Sequence, residues 1–123
     1  GYPYALPVNY IYDESTSKIY IHGAKSGHKV DSLKKNDKVC FTVYGNETIK
    51  DLSWAPYLQS VVIFGRCKLV NDPDETLRLV RLLAEKYYPD NDSIDEEIVS
   101  SGKAVQMFEI SIEHMSGKQI QER

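Results

Sequence analysis

The chain lacks the compositional marks of several large protein classes. Its 123 residues include 15 Lys and Arg against 18 Asp and Glu, so basic residues are not in excess and the formal net charge is −3. General attraction to a polyanion needs an excess of positive charge, so we do not expect a nucleic-acid-binding protein. The apolar runs are far shorter than the roughly 18 residues of a membrane span, which argues against an integral membrane protein.

Cysteine is scarce, and the motifs of several enzyme classes are missing. Cys40 and Cys67 fall in apolar, strand-like runs without CxxC spacing. We interpret them as buried free thiols in a reducing compartment, although the residues leave one disulfide open. No signal peptide is recognisable from Gly1 onward, so we expect a cytoplasmic protein. The chain has no GxSxG, HExxH or P-loop motif, and we expect neither a serine hydrolase nor a metal site.

Length and periodicity predict one mainly β domain over residues 1–123. Alternation predicts strands over 3–12, 18–22, 38–44, 57–70 and 104–114, and helical spacing predicts helices over 28–35, 72–88 and from a Ser93–Glu96 capping box to Gly102. The order β-β-α-β-β-α-α-β indicates an α+β fold on a curled antiparallel sheet or small barrel, with one long and two short helices. Gly65, inside the fourth strand, is typical of a bulge that lets a sheet curl.

The most informative stretch is YIHGAKSGHKVDSL, residues 20–33. A strand ends at His22, a glycine-rich turn follows, and a helix starts near His28. Backbone N–H groups at a helix start carry the positive end of the helix dipole and can hold a phosphate, and Lys25 and Lys29 add positive charge nearby. The simpler interpretation is a glycine turn that caps a helix and carries solvated lysines. From the residues alone we favour the simpler interpretation slightly.

A second stretch, PYALPVNY at residues 3–10, is a strand interrupted by proline. Pro3 and Pro7 remove two backbone N–H donors, and Asn9 is polar within an apolar run. A flat ligand could bind the exposed edge of such a strand, but a frayed edge strand explains the pattern as simply. His22 is more often a structural histidine than a catalyst in such a place, although its position where the turn opens favours contact with a ligand.

Taken together, four segments resemble one known family. PYALPVNY, YIHGAKSGHKVDSLKKNDKVCFTV, QSVVIFGRCKLVNDPDETLRLVRLLAEKYYP and HMSGKQ occur in the order typical of the 5-nitroimidazole-resistance branch of the pyridoxamine 5′-phosphate oxidase-like flavoproteins. The resemblance covers nearly the whole chain. It implies an antiparallel split β-barrel that binds FMN and forms a homodimer with two flavin sites at the subunit interface. Members usually carry a helix and a first strand ahead of the PxxxP segment, so we expect the barrel to be incomplete at that edge.

The same resemblance implies a role for each matching residue. The flavin ring would lie against the N-terminal segment, and the ribityl chain and phosphate would lie along the glycine turn. A Gln-Ser pair would reach the flavin, across the dimer. In this sequence the ring contacts are Pro7, Val8, Asn9 and Tyr10; the ribityl and ring contacts are His22, Gly23 and Ala24; the phosphate contacts are Ser26, Gly27, His28 and Lys29; and the pair is Gln59 and Ser60.

The function implied is that of an FMN-dependent oxidoreductase. Reduced flavin would pass electrons to a small electrophile such as a nitroimidazole, and His22 would orient or protonate that substrate. The C-terminal Trp and Arg pattern of true pyridoxamine phosphate oxidases is missing, which argues against that substrate. Two alternatives stay open: a non-catalytic module that binds FMN, haem or another planar cofactor, and a purely structural dimerisation domain.

Overall fold

The computed structural model describes residues 1–48, 57–88 and 90–120. The elements follow the predicted order. They are β1 (Tyr10–Asp13), β2 (Lys18–Ala24), α1 (His28–Lys35), β3 (Lys38–Thr48), β4 (Tyr57–Leu69), α2 (Pro73–Tyr87), α3 (Asn91–Ser101), a short 3₁₀ turn (Gly102–Ala104) and β5 (Val105–Ile120). No helix within these three ranges is long and apolar enough to cross a membrane.

The five strands form one antiparallel sheet in the order β1-β2-β5-β4-β3. The first part of β5 pairs with β2, whereas β4 follows β5 along nearly its whole length. The β4–β5 register shifts between Phe64 and Gly65, and a Cβ at Gly65 would collide with the carbonyl oxygen of Ser111. This confirms the predicted bulge, since only glycine lets the two backbones approach so closely. The sheet curls into a half-barrel, and the predicted α+β split-barrel class is confirmed.

Each face of the curled sheet carries its own core. Alternation along β2 sends Ile19 and Ile21 to the concave face and Tyr20 to the convex face. The concave core also contains Val30, Phe41, Ile63, Cys67, Phe108 and Ile110. On the convex face α2 supplies Leu79 and Leu83, which pack against Tyr20 and Met107. The end of β2 therefore separates the barrel interior from the helical layer.

Several predicted boundaries and burial assignments are wrong for long-range reasons. The first strand begins only at Tyr10, because no paired strand forms over the segment that contains Pro3 and Pro7. The third strand is predicted to end at residue 44, but β3 continues to Thr48, and β5 continues past its predicted end at residue 114 to Ile120, since both are paired to β4. The segment between the two predicted strands, residues 45–56, is loop-like in sequence, and its part from residue 49 to residue 56, with Trp54, lies outside the described residues.

Side-chain environments supply three further corrections. Cys40 and Cys67 are both free thiols, but only Cys67 is buried, because Phe41 takes the inward position on β3. Helical spacing over 72–88 predicts an inward stripe that includes Leu77 and Leu83, but on α2 the buried residues are Leu79 and Leu83, whereas Leu77 is 43% exposed. The side chain of Asp90 caps α3 and accepts from the Ser93 N–H at 2.7 Å, so Ser93 is the capped residue and the predicted capping box is wrong.

Candidate functional site

The turn between β2 and α1 places a helix start beside the end of the sheet. β2 ends at Ala24, and α1 begins at His28 with Gly27 in the N-cap position. Gly27 has a φ of 128°, which L side chains rarely adopt, and nothing lies within 4 Å of where its Cβ would be. Because glycine has no side chain to accept a hydrogen bond, the first amides of α1 are available to an external acceptor.

Lys29 points from this helix start into the barrel. Its ammonium donates to the carbonyl oxygen of His22 at 3.4 Å and lies 4.6 Å from the centre of the Phe108 ring. A Cβ at Gly23 would collide with that ammonium, so glycine makes the space it occupies. Burial lowers the pKa of Lys29 below its usual value of 10.5. None of the ion pairs within the described ranges includes Lys29, which is thus a half-buried cation with one long hydrogen bond.

His22 lies on the opposite face of β2 from the Lys29 ammonium. It follows Tyr20 on the convex face and lines a cavity of about 480 Å³ between the sheet and the two longer helices. Burial of part of the ring, together with the positive charge of Lys29, lowers the pKa of His22 below its usual value of 6.5. The neutral imidazole therefore predominates at pH values near 7, and it offers one N–H donor and one nitrogen acceptor.

The N-terminal segment connects the helix start with this cavity. The centre of the Tyr4 ring lies 4.3 Å from the centre of the His28 ring, Val8 packs against the concave core, and Asn9 lines the cavity. Pro7 is exposed between these contacts. Three of the predicted pieces, namely the PxxxP segment, the glycine turn and His22, are thus adjacent in the folded chain.

Two side chains that the sequence reasoning did not place at the site hold Tyr10 in position. The Tyr10 N–H donates to the Tyr87 hydroxyl at 3.2 Å, and its carbonyl oxygen accepts from Lys86 at 2.7 Å and from Tyr87 at 3.2 Å. The Lys86 ammonium also lies 3.6 Å from the centre of the Tyr10 ring. Helical spacing over 72–88 predicts Tyr87 on the apolar face of α2. Its hydroxyl, which needs a partner when the ring packs, was the one available signal.

The cavity is built mainly from apolar side chains of α2 and α3. Its lining includes Val80, Leu83, Ile94, Ile98 and Val105, and the rings of Tyr87 and Tyr88. Its polar groups include Asn9 and His22 from the sheet side and Glu97 from α3. No lysine or arginine is among the lining residues that the structure describes. This enclosure was not predicted, because it depends on how two separately predicted helices pack against each other.

Gln59 and Ser60 lie apart from all these residues. Gln59 is paired in register with Gln119, whereas His22 is paired with Met107, twelve residues earlier on the same strand. Twelve strand residues span about 40 Å. The Gln59 side chain accepts from the Asn46 amide at 2.7 Å, beside a small cavity of about 160 Å³. One copy of the chain therefore does not bring the Gln-Ser pair to the glycine turn.

Known proteins place this arrangement in a family. A family model described as pyridoxamine 5′-phosphate oxidase matches residues 1–119. The chain belongs to this family. The resemblance found in the sequence is thereby confirmed at the level of this family. No curated protein gives a match to this member of the pyridoxamine 5′-phosphate oxidase family.

Solved structures with the same fold come from several bacteria. A Bacteroides thetaiotaomicron protein provisionally named for 5-nitroimidazole antibiotic resistance superposes with a TM-score of 0.76 at 21% identity, over 95% of this chain and 69% of its own. The flavocytochrome Anf3 from Azotobacter vinelandii gives 0.72 at 19% identity, over 99% of this chain and 58% of its own. The FAD and haem binding protein from Mycobacterium smegmatis gives 0.77 at 15% identity, over 99% and 62%. At these identities the likeness establishes the fold.

Proposed function

We propose that this protein binds a flavin, specifically FMN, and uses it to reduce a small electrophile such as a nitroaromatic compound. The observation that carries the proposal is the helix start at Gly27 with its free amides, beside the half-buried Lys29 ammonium and next to a cavity that His22 lines. An uncapped helix N-terminus and a cation without a carboxylate partner fit a terminal phosphate. Family membership and the flavin- and haem-binding names of two neighbours support a flavin.

Within this proposal the chain's own residues bind and orient rather than react. The amides of α1 and the Lys29 ammonium hold the phosphate, with Ser26 and His28 beside it, and Pro7, Val8 and Asn9 lie against the ring. FMN, when bound, supplies reversible two-electron chemistry. A nicotinamide donor gives a hydride and solvent gives a proton, so that a nitro group becomes a nitroso group and water. His22 orients the substrate through its N–H, since the imidazole is neutral near pH 7.

We further propose that two copies of the chain complete each site. Gln59 and Ser60 reach a flavin only if a second copy brings its far end of the sheet to the glycine turn. The outer part of the β3–β4–β5 region also exposes large apolar side chains: Tyr44 is 69% exposed, and Phe64 and Met115 are each 52% exposed. Apolar surface of this kind is typical of an interface.

An absorbance spectrum tests the flavin directly. Protein purified or mixed with FMN is expected to show flavin bands and a higher melting temperature, and the same titration with FAD tells the two flavins apart. Protein that stays colourless and gains no stability from either flavin would refute the proposal. NADPH- or NADH-driven loss of a nitroimidazole then tests the reduction, and His22→Gln is expected to raise KM or lower kcat without loss of the bound flavin.

A non-catalytic flavin or haem module is the second candidate. Two structural neighbours, named as a flavocytochrome and as an FAD and haem binding protein, support this candidate. Bound cofactor without turnover of any nitroaromatic compound, and equal behaviour of the native protein and His22→Gln, would favour it.

Sedimentation velocity tests the dimer: Phe64→Glu is expected to give a monomer with weaker flavin binding, and a monomeric native protein with full affinity would contradict the two-copy site.

A further inference from the structure

We propose that the cavity between α2, α3 and the end of β2 binds the electron acceptor, that it selects neutral or cationic aromatic molecules, and that Glu97 sets this charge preference. The inference deepens the proposed flavin-dependent activity and rests on it for the role of the ligand as an electron acceptor. The binding itself is argued from the cavity alone.

The size and lining of the cavity fit a small aromatic ligand. Its volume of about 480 Å³ lies within the roughly 300–1,000 Å³ range of small-molecule sites. Leu83 and Ile94 are buried beneath it, and the aromatic rings of Tyr87 and Tyr88 form part of its wall. An apolar enclosure with a few polar groups gains most from a flat, largely apolar body.

Some of the polar groups that face the cavity are used by the rest of the fold, and others are not. The hydroxyls of Ser93 and Tyr87 are bonded to Asp90 at 3.1 Å and to Tyr10 at 3.2 Å. The side chains of Asn9, His22 and Glu97 take part in none of the hydrogen bonds found among residues 1–48, 57–88 and 90–120. They are therefore available to a ligand that carries both donors and acceptors.

Charge makes the pocket selective. Glu97 is the only formally charged residue among the described lining residues. Two lysines of neighbouring elements are engaged elsewhere: the Lys86 ammonium is held at the Tyr10 carbonyl, and the Lys29 ammonium lies on the opposite face of β2. The Asp95 carboxylate on the same helix is paired with Arg81 and does not line the cavity. A carboxylate ligand would thus meet Glu97 with no cation among the described lining residues to compensate, whereas an ammonium would be attracted.

Three ligands of nearly equal shape test the inference: para-nitrobenzylamine, para-nitrobenzyl alcohol and para-nitrobenzoate. Dissociation constants are measured by calorimetry, with and without added FMN. We expect the amine to bind at least as tightly as the alcohol, and the benzoate to bind most weakly. Glu97→Gln is expected to weaken binding of the amine by about two- to fivefold, as for an exposed ion pair, and to leave binding of the alcohol unchanged.

Two further variants make the result specific to the cavity. Glu96→Gln, one position earlier on α3 and outside the lining, should leave all three constants unchanged. Ala84→Leu adds apolar volume at a lining position while keeping a good helix former, and it should weaken all three ligands without lowering the melting temperature.

The outcomes separate this inference from the proposed function. Tightest binding of the benzoate, or dissociation constants that neither Glu97→Gln nor Ala84→Leu changes, would refute the proposed acceptor site even in a protein that binds FMN and reduces nitroaromatics. The expected pattern of dissociation constants in a protein that binds no flavin would support the binding site and refute the proposed flavin-dependent activity.

Discussion

Replacement of Lys29 by methionine should separate ligand binding from stability. In the folded chain the Lys29 ammonium makes one hydrogen bond of 3.4 Å to a carbonyl oxygen and one contact of 4.6 Å with the Phe108 ring. It lacks a carboxylate partner among the ion pairs of the described ranges, and burial lowers its pKa. A cation in such surroundings contributes little to folding and much to the capture of an anion.

The expected change in folding stability is small, whereas the expected change in flavin affinity is large. The hydrogen bond contributes up to about 1 kcal/mol and the ring contact about 0.5–1 kcal/mol, and the cost of partly desolvating the charge offsets them. Methionine keeps the apolar stem and a favourable contact with Phe108. We therefore expect the free energy of unfolding to change by less than about 1 kcal/mol. Loss of a charge-assisted phosphate contact should weaken FMN binding by about 1.5–3 kcal/mol, which raises the Kd roughly 10- to 150-fold.

Quenching of flavin fluorescence gives the Kd, and urea denaturation without flavin gives the stability. Lys25→Met is the matched control, because Lys25 is an exposed lysine of the same turn. We expect it to change affinity by less than about 1 kcal/mol. An unchanged Kd for Lys29→Met together with a stability loss above about 2 kcal/mol would show that Lys29 is a structural residue, and the reasoning above would be refuted.

Three other substitutions test separate features of the structure. Because the pKa of His22 is lowered in the folded chain, the neutral imidazole contributes stability that is present above a pH of about 6.5 and is lost as the pH falls through the folded-state pKa. His22→Gln should therefore flatten this part of a plot of the free energy of unfolding against pH. Glu109 is buried, and the ammonium groups of Lys18 and Lys68 lie 2.8 and 3.0 Å from its carboxylate. Glu109→Gln should therefore lower the free energy of unfolding, measured by urea denaturation at neutral pH, by about 1–3 kcal/mol. An equal loss at acidic pH would contradict the ion-pair explanation. Gly65→Ala should cost about 1–3 kcal/mol because its Cβ meets a β5 backbone oxygen, whereas Gly117→Ala, with 3.8 Å of room in the same strand pair, should change stability by less than about 1 kcal/mol.

The glycine turn shows which features of the site can be predicted from the local sequence and which cannot. The bounds of α1, predicted at residues 28–35, agree with the structure, because Gly27 and Asn36 terminate the helix through short-range preferences. The direction of Lys29 could not be predicted in the same way. Whether its ammonium meets solvent or the barrel interior depends on Phe108, a residue 79 positions away, and on the missing Cβ of Gly23.

The Gln59 and Ser60 pair shows the opposite case. Its resemblance to a flavin-contacting pair is carried by two residues, but its distance from the glycine turn depends on how β4 and β2 are both registered on β5. Register is a long-range property that no local pattern along 57–70 contains. The sequence therefore suggested the pair, and the folded chain made a second copy necessary for its proposed role.

The sequence by itself determined the order of the elements, the bounds of α1 and the position of the bulge, because alternation, helix termination and the absence of a Cβ act over a few residues. Only the tertiary structure decided that Cys40 faces outward, that Tyr10 is held by Lys86 and Tyr87, and that α2 and α3 enclose a cavity beside His22. These features join residues far apart in the chain, and their geometry follows from packing and strand register.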